Sequence, residues 1–294
     1  MKPINRQSAS VLAERVRETG VTAAAVLATA MVLDLGMVTP AAACSRVLWV
    51  NEGEPVLVGR NEDWFESLQT KLYAFPAGIE RDGSVDENPV TWTSKYGSVS
   101  AVVYGIAITD GINEMGLNAN LLYLAESEFG KRDPDMAGMS VSIFAQWMLD
   151  NFATVDEVVA ALKDVELVPI TMMHDTTEVQ SPFHYSVADA SGDSAIIEVL
   201  DGKFVVHHGP EFTVMTNSPT YDEQLELVKQ YEGLGGDTPL PGGSQSHERY
   251  ARGAFYLNLL PENPATYGEA VANVLSVMRN MSTPWGVSDP GKPN

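Results

Sequence analysis

The chain has 294 residues, 39 of them acidic against 18 basic, for a formal net charge of −21, and 45% of it is apolar. That acidity argues against nucleic-acid and anionic-membrane partners, while the apolar fraction is ordinary for a globular protein. A single cysteine, Cys44, excludes an intramolecular disulfide framework.

The first stretch carries Lys2, Arg6, Arg15 and Arg17 ahead of an apolar run over 21–33 that Asp34 breaks. That run is shorter than the ~20 apolar residues a membrane-spanning helix needs. A basic segment, a short apolar core and Ala41-Ala42-Ala43 read together as a cleavable secretory signal over residues 1–43. Cleavage after Ala43 makes Cys44 the first residue of a single mature domain, 44–294, long enough to bury its own core.

From there the chain alternates strand and turn signals. Apolar and β-branched runs at 44–50 and 55–60 flank the polar turn Asn51-Glu52-Gly53-Glu54 and predict a strand–turn–strand. Asp63-Trp64-Phe65 opens a loop. Further strands are expected at 72–75 and 91–93, as one long run over 98–108, and at 118–124, with Asp110-Gly111 turning the chain between the last two. Val141, Phe144, Trp147 and Met148 fall at helical spacing and predict an amphipathic helix over 140–152. Thr154 is placed to cap a second helix over 155–162.

Strands return at 184–188, 195–200, 204–207 and 212–216, separated by the Ser191-Gly192-Asp193 and Asp201-Gly202 turns. Helices follow over 221–231, 248–260 and 267–281, around a glycine-rich stretch at 233–246. Residues 284–294 have a loop composition. Strands, two helices, strands and then helices predict an α+β layering with helices covering sheet faces.

A cysteine freed at the N-terminus carries its own base. An α-amine titrates near ~7.7–8.0 and a free thiol near ~8.5, so a proton can pass between them around neutrality. The thiolate is the nucleophile, and no distant histidine is required. Arg60, at the end of the partner strand, is expected to stabilise that thiolate, and Asp63 to accept a hydrogen bond from the terminal ammonium. The tetrahedral oxyanion then needs two donors near the sulfur.

Blander readings stand beside this one. A lone cysteine is by default a buried, inert thiol. Cys44 is also placed like a lipid-acceptor cysteine, although Ala41 stands where a lipidation signal has a large aliphatic residue. His174, His184, His207 and His208 are scattered and predict no metal site. Asp110, Asp189 and Asp193 read as turn residues. No cofactor is expected.

Ordered segments carry a resemblance. Cys44-Ser45-Arg46, Gly59-Arg60-Asn61-Glu62-Asp63-Trp64, Phe75-Pro76 and Glu80-Arg81-Asp82-Gly83 resemble the choloylglycine hydrolase / penicillin V acylase family. So do Asn113-Glu114-Met115-Gly116-Leu117, Thr216-Asn217-Ser218-Pro219-Thr220-Tyr221-Asp222 and Ser246-His247-Glu248-Arg249-Tyr250. The resemblance implies an αββα sandwich of the N-terminal nucleophile hydrolase type, which cleaves non-peptide amides through an acyl-enzyme. It implies Cys44 as nucleophile and base, with Arg60 and Asp63 as its supports. Asn217 then supplies an oxyanion-hole amide, the backbone N–H of Tyr123 a second donor, Arg249 the active-site arginine, and Trp64 a wall of the acyl pocket.

Bile-salt members of the family carry Asn where this chain has Tyr123. The resemblance therefore favours a penicillin V acylase type of activity on a phenoxyacetyl or fatty acyl amide. N-acyl homoserine lactones are the next substrate reading, and conjugated bile salts the third. The short segment between Asn217 and Arg249 is similar to the Gram-negative, periplasmic branch, and a homo-oligomer, tetrameric in the family, is implied. The family continues past the position of Asn294 into further core strands, so the sandwich is expected to lack C-terminal strands. A lipid-anchored envelope protein and a truncated, inactive binding module are the non-enzymatic readings.

Overall fold

A computed structural model describes residues 44–51, 55–64, 67–174 and 177–283. The expected signal segment, the tip of the first turn and the 284–294 tail lie outside the described residues. The predicted hairpin forms as β1 (Ser45–Trp49) and β2 (Leu57–Asn61), antiparallel, with Arg46 opposite Arg60 and Val47 opposite Gly59. Gly59 has a packing reason: a Cβ there would lie 2.7 Å from Met278 Cγ and 2.8 Å from Val274 Cγ1, so only glycine lets the covering helix approach.

The chain then runs through β3 (Lys71–Phe75), β4 (Glu80–Asp82), β5 (Thr91–Thr93), β6 (Ser98–Val103), β7 (Ala107–Asn113), β8 (Asn118–Tyr123) and β9 (Gly138–Ser140). Helices α1 (Phe144–Asn151) and α2 (Val155–Ala161) follow, then β10 (Glu166–Val168), β11 (Thr171–His174) and β12 (Thr177–Gln180). After these come β13 (Phe183–Ala188), β14 (Ser194–Leu200), β15 (Lys203–His208) and β16 (Val214–Met215). The chain closes with α3 (Tyr221–Val228), α4 (Ser246–Leu257) and α5 (Tyr267–Met281).

Two sheets stack between helices. One has seven antiparallel strands in the order β15-β14-β13-β8-β7-β6-β3, and the other has three, β16-β1-β2. Successive side chains in a strand point to opposite faces, and the larger sheet uses both. Leu121 and Ile197 pack under α1 with Phe144, Met148 and Tyr185. Their neighbours Leu122 and Ile196 belong to the second core, with Val47, Trp49, Met215 and Met278. The layers are thus helix, sheet, sheet, helix: the α+β sandwich expected. The three-stranded sheet does not reach across the seven-stranded one. Val99 and Ile112, paired with each other, and Leu72 on β3 stay 47%, 50% and 77% exposed on the side that holds Asp110.

Three local expectations need correction. The run over 98–108 is two strands, broken at Tyr104, which adopts a left-handed φ of 51°. Asp110-Gly111 does not turn the chain; both residues lie within β7. The helix predicted over 140–152 starts only at Phe144, and it is not amphipathic in the usual sense, because Gln146 and Asp150 are buried too. Gln146 accepts from Ser100 Oγ at 2.9 Å and donates to Asp150 at 2.7 Å, while Asp150 accepts from Trp92 Nε1 at 2.7 Å and lies 3.0 Å from Arg81. The polar stripe that suggested solvent is a satisfied buried network. The Thr154 cap forms as expected, its side chain accepting from the Glu157 N–H.

Candidate active site

The β1–β2 hairpin brings the two ends of the motif together. Cys44, one residue before β1, is 5% exposed, and its Sγ lies 3.9 Å from the Asp63 carbonyl oxygen. Arg60, on β2, donates from Nη2 to the Leu121 carbonyl at 2.8 Å and from Nη1 to the Asn61 carbonyl. Its Nε sits 3.0 Å from Asp110 Oδ1, an ion pair outside hydrogen-bond geometry, and Glu62 Oε1 lies 3.9 Å from Nη2. Burial works against the guanidinium charge, but Asp110, Cys44 and Glu62 outweigh it and hold Arg60 above the ordinary arginine range.

An opening in the large sheet makes room for these contacts. Pairing between β7 and β8 runs only from Ile112–Asn118 to Asp110–Asn120. On β6, Ala101 pairs with Asp110 while Val102 pairs with Ile108, which leaves Thr109 as the extra residue of a bulge. Beyond that point, β8 has backbone groups with no strand partner among the described residues. The Leu124 N–H donates to the Pro182 carbonyl at 3.0 Å, so by alternation the Tyr123–Phe183 pair next to it is a non-hydrogen-bonded one. The backbone groups of Leu121 and Tyr123 therefore face away from β13. Arg60 takes the Leu121 carbonyl, and Asn217 Nδ2 donates to the Tyr123 carbonyl at 2.8 Å. In an extended strand a residue's N–H projects to the same side as its C=O, so the Tyr123 N–H shares the Asn217 side.

Arg249, on α4, locks the other flank. It is 2% exposed. It donates from Nη1 to the Cys44 carbonyl at 2.5 Å and Ser45 Oγ at 2.6 Å, from Nη2 to Asn217 Oδ1 at 2.8 Å, and from Nε to the Ser244 carbonyl at 3.0 Å. Burial pushes its pKa down to about 10, with Cys44 and Asp63 pulling the other way. Arginine can only donate, so this contact fixes which Asn217 side-chain atom is oxygen. The Asn217 amide nitrogen then has one N–H committed to Tyr123 and, among the described residues, no partner for the second. Ser246 Oγ accepts from the Asn217 N–H and donates to its carbonyl, both at 2.9 Å, and so holds the backbone.

Asp63 is half-buried, and its Oδ2 accepts from the Thr283 N–H at 3.5 Å. Burial raises its pKa, against the Thr283 N–H, Arg249 and Arg60. Beside the thiol lies a narrow cavity of about 70 Å³ with Trp64, Leu68, Val103, Ile170 and Phe183 in its walls. Trp64 and Tyr123 rings tilt against each other at its rim, 6.2 Å between centroids. A larger open groove, about 950 Å³, runs past Leu225, Leu234 and Tyr250 and contains none of these residues.

Cys44, Arg60, Asp63, Trp64, Tyr123, Asn217 and Arg249 thus come together from the residue before β1, from β2, β8 and α4, and from two loops. Two members of the site were missed. Asp110, in a sequence pattern typical of a turn, lies in β7, and nothing local in the sequence tells that it meets Arg60, fifty positions earlier in the chain. Glu62 sits inside the Gly59–Trp64 motif but drew no role of its own; it also lines the cavity. Asp189 does behave as expected, accepting from the Ser191 N–H in its turn at 2.9 Å. Asp156, Asp193 and His208, whose ligand atoms lie within 4.8 Å of one another, share no residue with the site. Among the described residues no helix is long and apolar enough to cross a membrane.

A family model of linear amide C–N hydrolases, the choloylglycine hydrolase family, matches residues 44–292. The chain is 40% identical over 272 residues to a penicillin V acylase of Pectobacterium atrosepticum, covering 86% of this chain and 72% of that one. It matches the structure of a penicillin V acylase from Agrobacterium tumefaciens with a TM-score of 0.76 and 44% identity, over 84% of this chain and 75% of the other. A conjugated bile acid hydrolase variant from Clostridium perfringens shares the fold alone, at a TM-score of 0.68 and 23% identity over 85% and 83%. The chain belongs to the choloylglycine hydrolase family and is a linear amide C–N hydrolase.

Proposed function

We propose that processing exposes Cys44 as the N-terminal residue and that the protein hydrolyses an amide with an apolar acyl group, as a penicillin V acylase. The observation that carries this reading is the meeting of the Cys44 thiol, the charged Arg60 and an apolar cavity at one point. The family match also begins at residue 44.

The α-amine of Cys44 takes the thiol proton as sulfur attacks the amide carbonyl. Negative charge then develops on the carbonyl oxygen. The second Asn217 side-chain N–H and the Tyr123 backbone N–H supply the two donors such an oxyanion requires. The protonated amine returns its proton to the departing nitrogen, leaving an S-acyl enzyme. Water activated by the same amine then releases the acid. Arg249 holds Asn217 and the Cys44 carbonyl in place, and Trp64 walls the acyl pocket. Every proton in this cycle moves through Cys44 itself, so neither metal nor cofactor has a role in it.

A cavity of about 70 Å³ is small beside the ~300–1,000 Å³ of drug-sized sites. It favours a single ring or a slender alkyl chain over a fused-ring steroid. Phenoxyacetyl amides therefore lead, long-chain N-acyl homoserine lactones come next, and conjugated bile salts last. Export to the periplasm rests on the signal pattern of residues 1–43, and a homo-oligomer on the family. N-terminal sequencing and intact mass of the exported protein, with penicillin V and acyl-homoserine-lactone turnover and a Cys44→Ser control, test the reading. A free Cys44 terminus and turnover lost in the control support it. An acylated terminus points instead to a lipid-anchored protein.

A further inference from the structure

Two buried ionisable side chains stand between the sheets and take no part in the amide chemistry above. His184, on β13, pairs with Leu122 of β8 and so shares its face, toward the second core. Glu198, on β14, lies two residues past Ile196 and points the same way. Both are buried.

His184 Nε2 lies 2.9 Å from the Thr216 carbonyl oxygen. A carbonyl can only accept, so this contact puts a ring proton on Nε2. Nδ1 completes no hydrogen bond among the described residues and faces Glu198 Oε1 at 3.5 Å. The same carboxylate oxygen accepts from the Tyr221 N–H at 2.9 Å, at the first residue of α3. His184 and Glu198 thus grip residues 216–221 at both ends, and Asn217 lies inside that segment. The peptide joining Thr216 to Asn217 is planar and is held at both edges, its carbonyl by His184 and its N–H by Ser246 Oγ at 2.9 Å. Arg249 and the Tyr123 carbonyl fix the tip of the Asn217 side chain, while His184 fixes the peptide at its root.

We infer that His184, oriented by Glu198, is a positioning residue for the hydrolysis: it sets the Thr216–Asn217 peptide and, through it, the Asn217 amide that receives the oxyanion. His184 touches neither substrate nor thiol and acts only through Asn217. Charge reaches that amide in the transition state, so a displaced Asn217 lowers the chemical step rather than substrate binding. This rests on the amidase reading above, which assigns Asn217 to the oxyanion.

The test measures penicillin V hydrolysis and melting temperature for the processed wild-type protein and for His184→Gln, His184→Asn and His184→Leu. Glutamine brings an amide nitrogen to where Nε2 sits and can donate to the Thr216 carbonyl. Asparagine reaches only as far as Nδ1, and leucine donates nothing. His184→Leu and His184→Asn are expected to lower kcat about 10- to 100-fold, the upper figure being the cost of a ~1 Å misplacement. KM should stay unchanged, as for an interaction made only in the transition state, and His184→Gln should retain most of kcat. A merely structural role lowers the melting temperature and leaves kcat of the folded enzyme alone; that result in His184→Leu overturns the inference. Equal kcat in the glutamine and asparagine variants overturns it too, and decides the matter should His184→Leu not fold. Both results leave the amidase reading intact. A processed wild type that hydrolyses neither penicillin V nor a long-chain acyl homoserine lactone removes that reading and this inference with it.

Discussion

Arg249 Nη2 donates to Asn217 Oδ1 at 2.8 Å while the same guanidinium holds the Cys44 carbonyl at 2.5 Å. A single buried cation therefore sets the distance between the nucleophile and its candidate oxyanion donor. Arg249→Met keeps bulk but leaves the Cys44 and Ser244 carbonyls, Ser45 Oγ and Asn217 Oδ1 without this donor. A loss of roughly 3 kcal/mol is expected, or a melting temperature lower by roughly 6–12 °C for a domain of this size, with turnover abolished. Differential scanning fluorimetry beside an activity assay checks both. A variant that melts like wild type and still turns over would sink the assignment.

Asp110 acts through Arg60. Its carboxylate lies 3.0 Å from Arg60 Nε and accepts from Asn120 Nδ2 at 2.9 Å, and Asn120 Oδ1 accepts in turn from Ser186 Oγ at 3.2 Å. Asp110→Asn removes the charge but keeps the shape. The guanidinium then loses the strongest of the charges that hold it beside the thiol. The expected result is a kcat about tenfold lower with little change in KM, and slower alkylation of Cys44 by iodoacetamide. A purely structural role would move the melting temperature and leave alkylation alone.

Asp63 gives a pH signature. Its folded-state pKa is raised above the ordinary 3.8 by burial, against the Thr283 N–H, Arg249 and Arg60. The folded protein thus binds this proton more readily than the unfolded chain. The stability that follows is present at low pH and lost as pH rises from 3.8 through the raised value. Asp63→Asn cannot ionise, so it should melt above wild type at about pH 7, converge with it at about pH 4, and lose turnover. Thermal melts of both proteins at the two pH values decide the matter. A gap that does not depend on pH would count against it.

The composition, the signal pattern, the lone cysteine behind Ala43 and the ordered motifs from Cys44 to Tyr250 were legible without a fold, because each is a local pattern of residue types. The hairpin and the Thr154 cap were legible for the same reason, since a turn or a cap is decided within a few residues. Periodicity failed where burial did not follow it: α1 buries Gln146 and Asp150, so its polar positions looked solvated when they are satisfied inside. Only the tertiary structure shows that Asp110 is a strand residue facing Arg60, that the bulge at Thr109 and the parting of β7 from β8 free the Leu121 and Tyr123 carbonyls, and that Glu62 borders the pocket. The Asp110–Arg60 and Glu62 relationships depend on strand order and register between segments about fifty to over a hundred residues apart. A one-residue slip would turn each of these side chains to the opposite face, and no local pattern of residues encodes which register is chosen.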